Sequence, residues 1–405
     1  MVSFHTPILY QGPFRDTRRK QAKISLRISK AAGRKGSVPG GSPGTALANS
    51  PNCGIIIYPE CQKSLIRLFR GLENAVTFPL LRSAKVLSKA IRRAPRRQMT
   101  KQIGGTQVPF AKGEPLTMRD YIILTDSCCD FPAEMVEELG VTVLPLSFLL
   151  EGKEYFNYPD NREMDPHIFY EKLRAGSLGS TSAINVATFH DAMEPVVSAG
   201  KDVLYISFSS ALSTTYQSAC IAAREVMEAN PGATVAVVDS RAASLGQGML
   251  VYLAVQEKNQ GKSLEEVQAF VEAKKDHIDH WFTVDDLNHL KRGGRVSAAA
   301  ALFGTMLQMK PVLHVDNEGR LIPVSKVRGR KASVKALLDK MEELVEDPSV
   351  VFISHGDCLD DAQGLAKSIQ EKFPVAKLVI NYVGPVIGNH SGPGTLALFF
   401  VGKEK

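Results

Sequence analysis

Short apolar runs alternate with helical stretches from Tyr121 onward, and this alternation limits the fold more than any other feature of the sequence. Four of these runs have the length and β-branched content of buried strands: Tyr121–Thr125, Val141–Leu150, Asp202–Ser207 and Thr234–Val238. Helical periodicity separates them, most clearly over Tyr216–Glu228 and Gly246–Gln260. Because continuously apolar strands need cover on both faces, the pattern predicts an α/β fold with a mostly parallel sheet.

The same alternation continues after residue 277 and predicts a second α/β domain. Strands are predicted at Pro311–Val315, Leu321–Val327, Val350–Ser354, Lys377–Tyr382 and Thr395–Val401. Helices are predicted at 297–307, 330–346 and 361–372. The sequence therefore predicts two α/β domains, at 118–277 and 278–405, after a basic and largely unstructured extension at 1–117.

The charge of the chain changes where the strand pattern begins. Residues 1–117 carry 21 Lys and Arg but 4 Asp and Glu, whereas residues 118–405 carry 28 basic and 38 acidic side chains. We interpret residues 1–117 as a disordered extension or as translated upstream sequence, because no motif, repeat or core pattern supports a function there. A nucleic-acid-binding arm and a targeting peptide are the alternatives, and nucleic acid is not an expected partner of the rest of the chain.

Several protein classes are disfavoured by what the sequence lacks. No apolar run reaches the roughly 18 residues that a membrane-spanning helix needs. The six cysteines are scattered, which favours free thiols in a reducing, cytoplasmic setting. No HExxH motif, spaced Cys/His set, GxGxxG after a strand or GxxxxGK[ST] motif occurs. We therefore expect neither a metal nor a nucleotide cofactor.

Hydroxyl side chains are concentrated where predicted strands give way to helices. Residues Ser209–Thr215 hold five hydroxyls in seven positions, and Ser180–Ser182 form a second, shorter cluster. In an open α/β sheet, ligands bind outside the carboxyl ends of the strands, where helix N-termini offer N–H groups to an anion. Ordinary helix capping is the alternative for either cluster, but five hydroxyls exceed what one cap needs.

A glycine-rich segment near the C-terminus surrounds a single histidine. Gly384–Gly394 contains four glycines and two prolines around His390, which predicts an irregular backbone. A histidine held in such a turn is able to donate a hydrogen bond to a buried carboxylate or phosphate. His280 and His314 lack this setting and are predicted to be ordinary packed or surface residues.

Taken in order, these motifs resemble the DegV family of fatty-acid-binding proteins. The resemblance covers residues 119–403 and rests on Asp126-Ser127, Thr181-Ser182, 208–219 (FSSALSTTYQSA), 290–295 (LKRGGR), Lys310-Pro311 and 388–394 (GNHSGPG). It implies two α/β domains with one long-chain fatty acid buried between them. It also implies that the chain is the acyl-carrying subunit of a fatty acid kinase, whose separate ATP-binding partner phosphorylates the bound carboxyl for phospholipid synthesis.

The resemblance also implies which side chains hold the carboxylate: Thr181, Ser213 and His390. Two positions depart from the family pattern, since Thr214 stands where glycine is usual and Ala183-Ile184 where Gln-Pro is common. The second departure makes Ser182 a fallback for Thr181, and Ser210 and Thr214 are further candidates in the hydroxyl loop. Residues Ala298–Met309, rich in Ala, Leu, Phe and Met, are a candidate tunnel lining, with ordinary core packing as the alternative.

A serine hydrolase or acyltransferase that uses Ser213 with His390 is the alternative function. Against it, the sequence has no GxSxG elbow and no acid evidently placed to orient the histidine.

A basic loop is the candidate docking site for the kinase partner. Lys291, Arg292 and Arg295 flank Gly293-Gly294, which predicts an exposed turn within an otherwise acidic region. Such cations are suited to meet an acidic partner face or the transferring phosphoryl group, whereas a solvated loop without a partner is the alternative.

The composition break predicts that residues 1–117 are dispensable. A chain that starts at Met118 should express, fold and bind fatty acid as the full chain does, because the predicted core lies after that residue. The measurement is bound fatty acid per chain after organic extraction and mass spectrometry. Loss of bound lipid on truncation would assign the extension to the functional domain.

Overall fold

The computed structural model describes residues 119–297 and 308–403, which lie within one compact unit. The predictions for residues 1–117, and for the helix at 297–307 beyond its first residue, fall outside the described residues. The described part alternates strands and helices as the sequence predicts, and the α/β fold class is confirmed. The division into domains at 118–277 and 278–405 stays a prediction.

Thirteen strands of the described residues form three sheets. They are β1 Tyr121–Asp126, β2 Thr142–Leu144, β3 Ser147–Leu150, β4 Lys153–Phe156, β5 Gly179–Ser182, β6 Asp202–Ser207, β7 Val235–Asp239, β8 Ile278–Thr283, β9 Met309–Val315, β10 Leu321–Arg328, β11 Val345–His355, β12 Lys377–Tyr382 and β13 Leu396–Gly402. The order β2-β1-β6-β7 forms a parallel sheet. The order β10-β9-β8-β13-β11-β12 forms a mixed sheet in which only β11 and β12 are parallel neighbours. The order β4-β3-β5 forms a small antiparallel sheet.

Ten α-helices connect and cover these sheets within the described residues. They are α1 Ala133–Leu139, α2 Pro166–Arg174, α3 Val186–Ser198, α4 Thr215–Ala229, α5 Leu245–Asn259, α6 Leu264–Lys274, α7 Leu287–Arg292, α8 Arg330–Leu344, α9 Leu359–Lys372 and α10 Pro385–Ser391. None of them has the length and apolar content that crossing a membrane requires.

Helix α5 joins the two large sheets through a shared core. Its buried Met249 and Leu250 belong to the same apolar cluster as Ile123 of the parallel sheet and Phe352 and Phe399 of the mixed sheet. A second cluster fills the space between the parallel sheet and the small antiparallel sheet. The carboxyl ends of β1 and β6 and the mixed sheet are therefore held close together, which positions the site described below.

Three local predictions were wrong, each for a physical reason. The predicted strand Val141–Leu150 is two strands in two sheets, because Pro145 lacks the N–H that a continuous ladder needs. Thr181 and Ser182 lie in strand β5 rather than in a strand-to-helix turn. The segment around His390 is a short helix, with Pro385 in its first turn and Gly392 directly after it.

Strand β8 was not predicted, although all six of its residues are buried. Its sequence IDHWFT includes Asp279 and His280, which break the apolar run that reveals a buried strand. Both side chains have partners on the strand itself: Asp279 accepts a hydrogen bond from the Trp281 indole at 3.1 Å, and His280 Nδ1 lies 2.7 Å from the Ile278 carbonyl.

Candidate functional site

A cavity of about 480 Å³ lies between strand β5, the turn after β6, the mixed sheet and helix α10. Its walls are apolar over much of their area, with Phe208, Phe282, Val315, Leu321 and Phe399 among the lining side chains. Hydroxyl, imidazole and guanidinium groups also line it. The cavity therefore has the mixed character of a site for an amphipathic ligand.

The structure brings Thr181, Ser213 and His390 to the same cavity. Thr181 Oγ1 lies 2.8 Å from His390 Nε2, a contact between residues 209 positions apart in the chain. Strand β5 places Thr181, since it pairs with β3 and sets Thr181 opposite Phe148. Helix α10 places His390 in its last turn.

Gly293 lets the end of helix α7 approach the His390 ring. A Cβ on Gly293 would lie 2.2 Å from His390 Nδ1, well inside any real contact. The glycine of the LKRGGR motif is thus required by packing against the histidine. Burial, and to a lesser extent the nearby Arg295 charge, lower the pKa of His390 to about 4. The imidazole is consequently neutral near pH 7.

Ser213 serves the backbone of its own turn as well as the cavity. Its Oγ accepts a hydrogen bond from the N–H of Thr215 at 3.2 Å and lies 2.9 Å from Thr215 Oγ1. Ser213 precedes the N-cap residue Thr214, so these contacts stabilise the turn that leads into α4. Because Ser213 also lines the cavity, this turn contact and ligand contact are compatible at the residue.

The three secondary candidates, Ser182, Ser210 and Thr214, also line the cavity but differ in their surroundings. Ser182 and Thr214 are exposed at its edge. Ser210 donates its hydroxyl proton to Asp239 Oδ2 at 2.5 Å, and its backbone N–H donates to Asp239 Oδ1 at 3.1 Å. The single hydroxyl proton of Ser210 is therefore already engaged and is not offered to a ligand carboxylate.

The three predicted docking cations do not share one environment. Lys291 and Arg292 are exposed, and Arg292 Nη2 lies 2.9 Å from His289 Nδ1. The prediction of an exposed loop was wrong for Arg295, which is half-buried and lines the cavity. Arg295 Nε donates to the Leu212 carbonyl at 3.1 Å, so this side chain ties the glycine turn to the hydroxyl loop.

Sequence reasoning missed four polar residues of the cavity wall: Ser391, Thr395, Ser244 and His280. The last two lie farthest from any recognised motif. Ser244 has φ 54° and ψ −147°, a backbone conformation that residues other than glycine rarely adopt. His280 stacks edge-on against Phe399 with ring centroids 5.3 Å apart. Neither residue belongs to a motif that its local sequence would single out, because the wall forms only when α5 and β8 meet.

The candidate tunnel lining Ala298–Met309 lies almost wholly outside the described residues. Gln308 is exposed, and Met309 is half-buried at the start of β9.

Among the described residues, His167, Glu171 and Asp357 bring potential metal-ligand atoms within 4.8 Å of one another. Asp357 already pairs with His167 at 3.0 Å and with Arg174. These ion pairs account for the cluster without a metal ion.

Comparison with known proteins places these observations in one family. The family model DegV, described as an uncharacterised protein of that family, matches residues 121–403. A DegV domain-containing protein of Clostridium perfringens is 46% identical over 290 residues, covering 71% of this chain and 99% of the relative. A DegV domain-containing protein of Streptococcus pyogenes is 36% identical over 284 residues, covering 70% of this chain and 99% of the relative.

Solved structures are similar over the same region. A DegV family protein from Thermus thermophilus, described by its fatty acid binding, has a TM-score of 0.64 and 33% sequence identity. The similarity covers 70% of this chain and 100% of the Thermus chain. DegV from Bacillus subtilis, described as a fatty acid binding protein, has a TM-score of 0.61 and 29% identity, with the same 70% and 100% coverage.

The low pKa of His390 predicts an acid-sensitive contribution to stability. The folded-state pKa is about 4 and the ordinary value is 6.5, so the unfolded chain binds a proton first and stability falls as pH drops from 6.5 to 4. His390→Gln should reduce this slope by about 1 kcal/mol per pH unit, measured by urea unfolding at pH 7 and pH 5. His355, whose pKa is also lowered to about 4, supplies the same background slope in both proteins. An unchanged slope in the variant would contradict the prediction.

Proposed function

This chain belongs to the DegV family, and on that premise we propose that its cavity binds one long-chain fatty acid and presents the carboxylate to a separate ATP-dependent kinase subunit. The observation that carries the proposal is the meeting of Thr181, Ser213 and His390 at a cavity with apolar walls. The fatty acid binding of the similar Thermus and Bacillus proteins supports it. The proposed setting is the cytoplasm.

The proposed carboxylate clamp consists of Thr181, Ser213 and His390. A buried carboxylate is costly unless each oxygen accepts hydrogen bonds. When His390 Nε2–H donates to Thr181 Oγ1, the hydroxyl protons of Thr181 and Ser213 are left to donate to the carboxylate, and hydrogen bonds to a charged group contribute about 1.5–3 kcal/mol each. Arg295 adds a positive charge to the same wall. The clamp would therefore fix the head of the ligand and its orientation.

The apolar walls are proposed to hold the acyl tail. A chain with ~14 methylenes gains about 11 kcal/mol on burial, at roughly 0.8 kcal/mol for each methylene. The entropy lost on association offsets much of this gain. Tail burial would thus dominate affinity, while the clamp decides which end of the ligand faces the partner.

The proposed reaction takes place at the clamped carboxylate. One carboxylate oxygen forms a bond to the γ-phosphorus of ATP held by the partner, the bond from that phosphorus to the bridging oxygen breaks, and ADP leaves. The product is an acyl phosphate for phospholipid synthesis. The chain itself supplies positioning, and the exposed Ser182 and Thr214 mark the side of the cavity from which the partner would reach the carboxylate.

The geometry disfavours the alternative hydrolase or acyltransferase. His390 Nε2 contacts Thr181, whereas Ser213 Oγ contacts Thr215. A serine nucleophile needs its general base within hydrogen-bonding reach, and the described hydrogen bonds do not join Ser213 to His390.

The clamp is tested by removing its donors. Ser213→Ala and His390→Ala should each weaken fatty acid binding by about tenfold to a hundredfold, the value of one hydrogen bond to a charged group. Phosphorylation by the partner should fall in parallel. Binding is measured by fluorescent fatty acid displacement, and turnover by acyl phosphate formation. Ser368→Ala and His190→Ala remove the same groups from helices outside the cavity and should leave both readouts unchanged. Wild-type binding in both clamp variants would remove the proposed site.

The kinase partner is proposed to dock on the exposed Lys291 and Arg292, because Arg295 lines the cavity. Reversing both to Glu should lower acyl phosphate formation at sub-saturating partner without changing the fatty acid bound per chain. Added salt should weaken the wild-type reaction more than that of the variant, since exposed charges are screened beyond about 8–10 Å at physiological ionic strength. Lys331→Glu with Lys367→Glu is the charge-matched control on exposed helix positions. Wild-type turnover in the Lys291 and Arg292 double variant would exclude this surface.

A further inference from the structure

A second, much smaller cavity contains a carboxylate oxygen without a partner, and we propose that a monovalent cation, Na⁺ or K⁺, binds there beside Asp130. The cavity holds about 20 Å³ and lies between the loop after β1, the loop after β4 and the segment that joins β12 to α10. Its volume suits one ion or one water molecule. Its lining residues are Ser127, Cys129, Asp130, Phe131, Asn157, Tyr158, Pro159, Asn161, Asn381, Tyr382 and Gly384.

Asp130 is the group that points to a ligand. The residue is 6% exposed, and its Oδ2 accepts a hydrogen bond from Ser244 Oγ at 2.5 Å. Its Oδ1 is buried and has no partner with hydrogen-bonding geometry among the described residues. Burial raises the pKa of Asp130 to about 8, although the Ser244 hydroxyl and the N–H of Gly384 favour the charged form. The carboxyl is therefore mostly neutral near pH 7 unless a positive charge lies beside it, and the ionised form needs that compensating charge.

Asp126, four residues earlier, shows what a fully satisfied buried carboxylate looks like in this chain. Its Oδ1 accepts from the N–H of Cys128 at 3.0 Å. Its Oδ2 accepts from Tyr205 Oη at 2.7 Å and from the N–H of Phe208 at 2.9 Å. Both oxygens are bound, so Asp126 has no vacancy for an ion. Asp130 therefore differs from Asp126 in having one carboxylate oxygen without a hydrogen-bond partner among the described residues.

The side chains around Asp130 supply oxygen rather than positive charge. Among the described residues, no Lys, Arg or His lines the small cavity. Asn157 directs its amide nitrogen to the Ser127 carbonyl at 3.4 Å, and Asn381 directs its own to the Asp130 carbonyl at 2.8 Å. Each contact uses one of the two N–H groups of the amide, and the amide oxygens of Asn157 and Asn381 remain as acceptors. Carboxylate, amide and carbonyl oxygens are the ligands that hard cations prefer.

Gly384 shows that two of these oxygens face one space. The position of a Cβ on Gly384 lies 2.6 Å from Asp130 Oδ1, 3.0 Å from Asn157 Nδ2 and 3.3 Å from Asn157 Oδ1. One ion is therefore able to contact both oxygens, and any side chain at residue 384 would enter the same space.

Charge favours a monovalent ion over Mg²⁺ or Ca²⁺. Mg²⁺ usually retains several waters, which a space for one water does not provide. A single positive charge balances the single carboxylate. The ion would link Asp130 to Asn157 beside Gly384, the residue that directly precedes the helix carrying His390, and this inference does not depend on the fatty acid proposal.

The test compares thermal unfolding of the full chain in NaCl or KCl with unfolding in N-methylglucamine chloride at the same ionic strength and pH. The melting temperature should rise saturably with Na⁺ or K⁺ and stay constant with the organic cation. Asp130→Asn should abolish the cation-specific rise. Asp160→Asn, which removes an exposed carboxylate from the neighbouring loop, should keep it. Equal melting temperatures in all three salts, or a rise that persists in Asp130→Asn, would overturn the proposal.

Crystals soaked in RbCl provide a second measurement that does not depend on how the variants fold. An anomalous peak within about 3 Å of Asp130 Oδ1 is expected, since Rb⁺ substitutes for K⁺. A water molecule without anomalous signal at that position, together with equal melting temperatures in NaCl, KCl and N-methylglucamine chloride, would refute the cation site.

Discussion

The carboxylate of Asp126 is the interaction on which the site geometry depends. It is completely buried at the end of β1 and accepts hydrogen bonds from Tyr205 and from the backbone N–H groups of Cys128 and Phe208. Burial raises the pKa of Asp126, and these donors oppose that shift. Phe208 is the first residue of the turn that leads to Ser213. The carboxylate that joins β1 to β6 therefore also fixes the position at which this turn begins.

The second requirement is close approach between segments far apart in the chain. His390 meets Thr181 on one side and Gly293 on the other, so three motifs converge on one imidazole. The small antiparallel sheet supplies Thr181, and helices α7 and α10 supply the other two. Each of these elements is short, and their contacts with the large sheets and with one another position the groups that the proposed clamp uses.

Some buried polar atoms of the described residues have hydrogen-bond partners within the protein, and others have none. A buried atom without a partner is a place where a ligand is able to bind. Asp126 has all of its partners within the protein, whereas Asp130 Oδ1 has none among the described residues. Leaving a buried polar atom without a partner costs about 1–3 kcal/mol, and more when it is charged. An open position of that kind is most readily explained by a ligand, which is the basis for assigning a cation to the small cavity.

The sequence by itself determined the fold class, most of the strands and helices, and the family, because apolar periodicity and motif order are local properties. It also singled out Thr181, Ser213 and His390, which the structure brings to one cavity. Only the tertiary structure decided that Arg295 lines the cavity, that Ser210 is bound to Asp239, and that Val141–Leu150 divides between two sheets. Strand β8 was missed because Asp279 and His280 interrupt its apolar run, although both have partners two residues away on the same strand. The lining of the cavity by Arg295, the contact of Ser210 with Asp239 and the division of Val141–Leu150 depend instead on packing between segments that are distant in sequence, which the local sequence pattern does not encode.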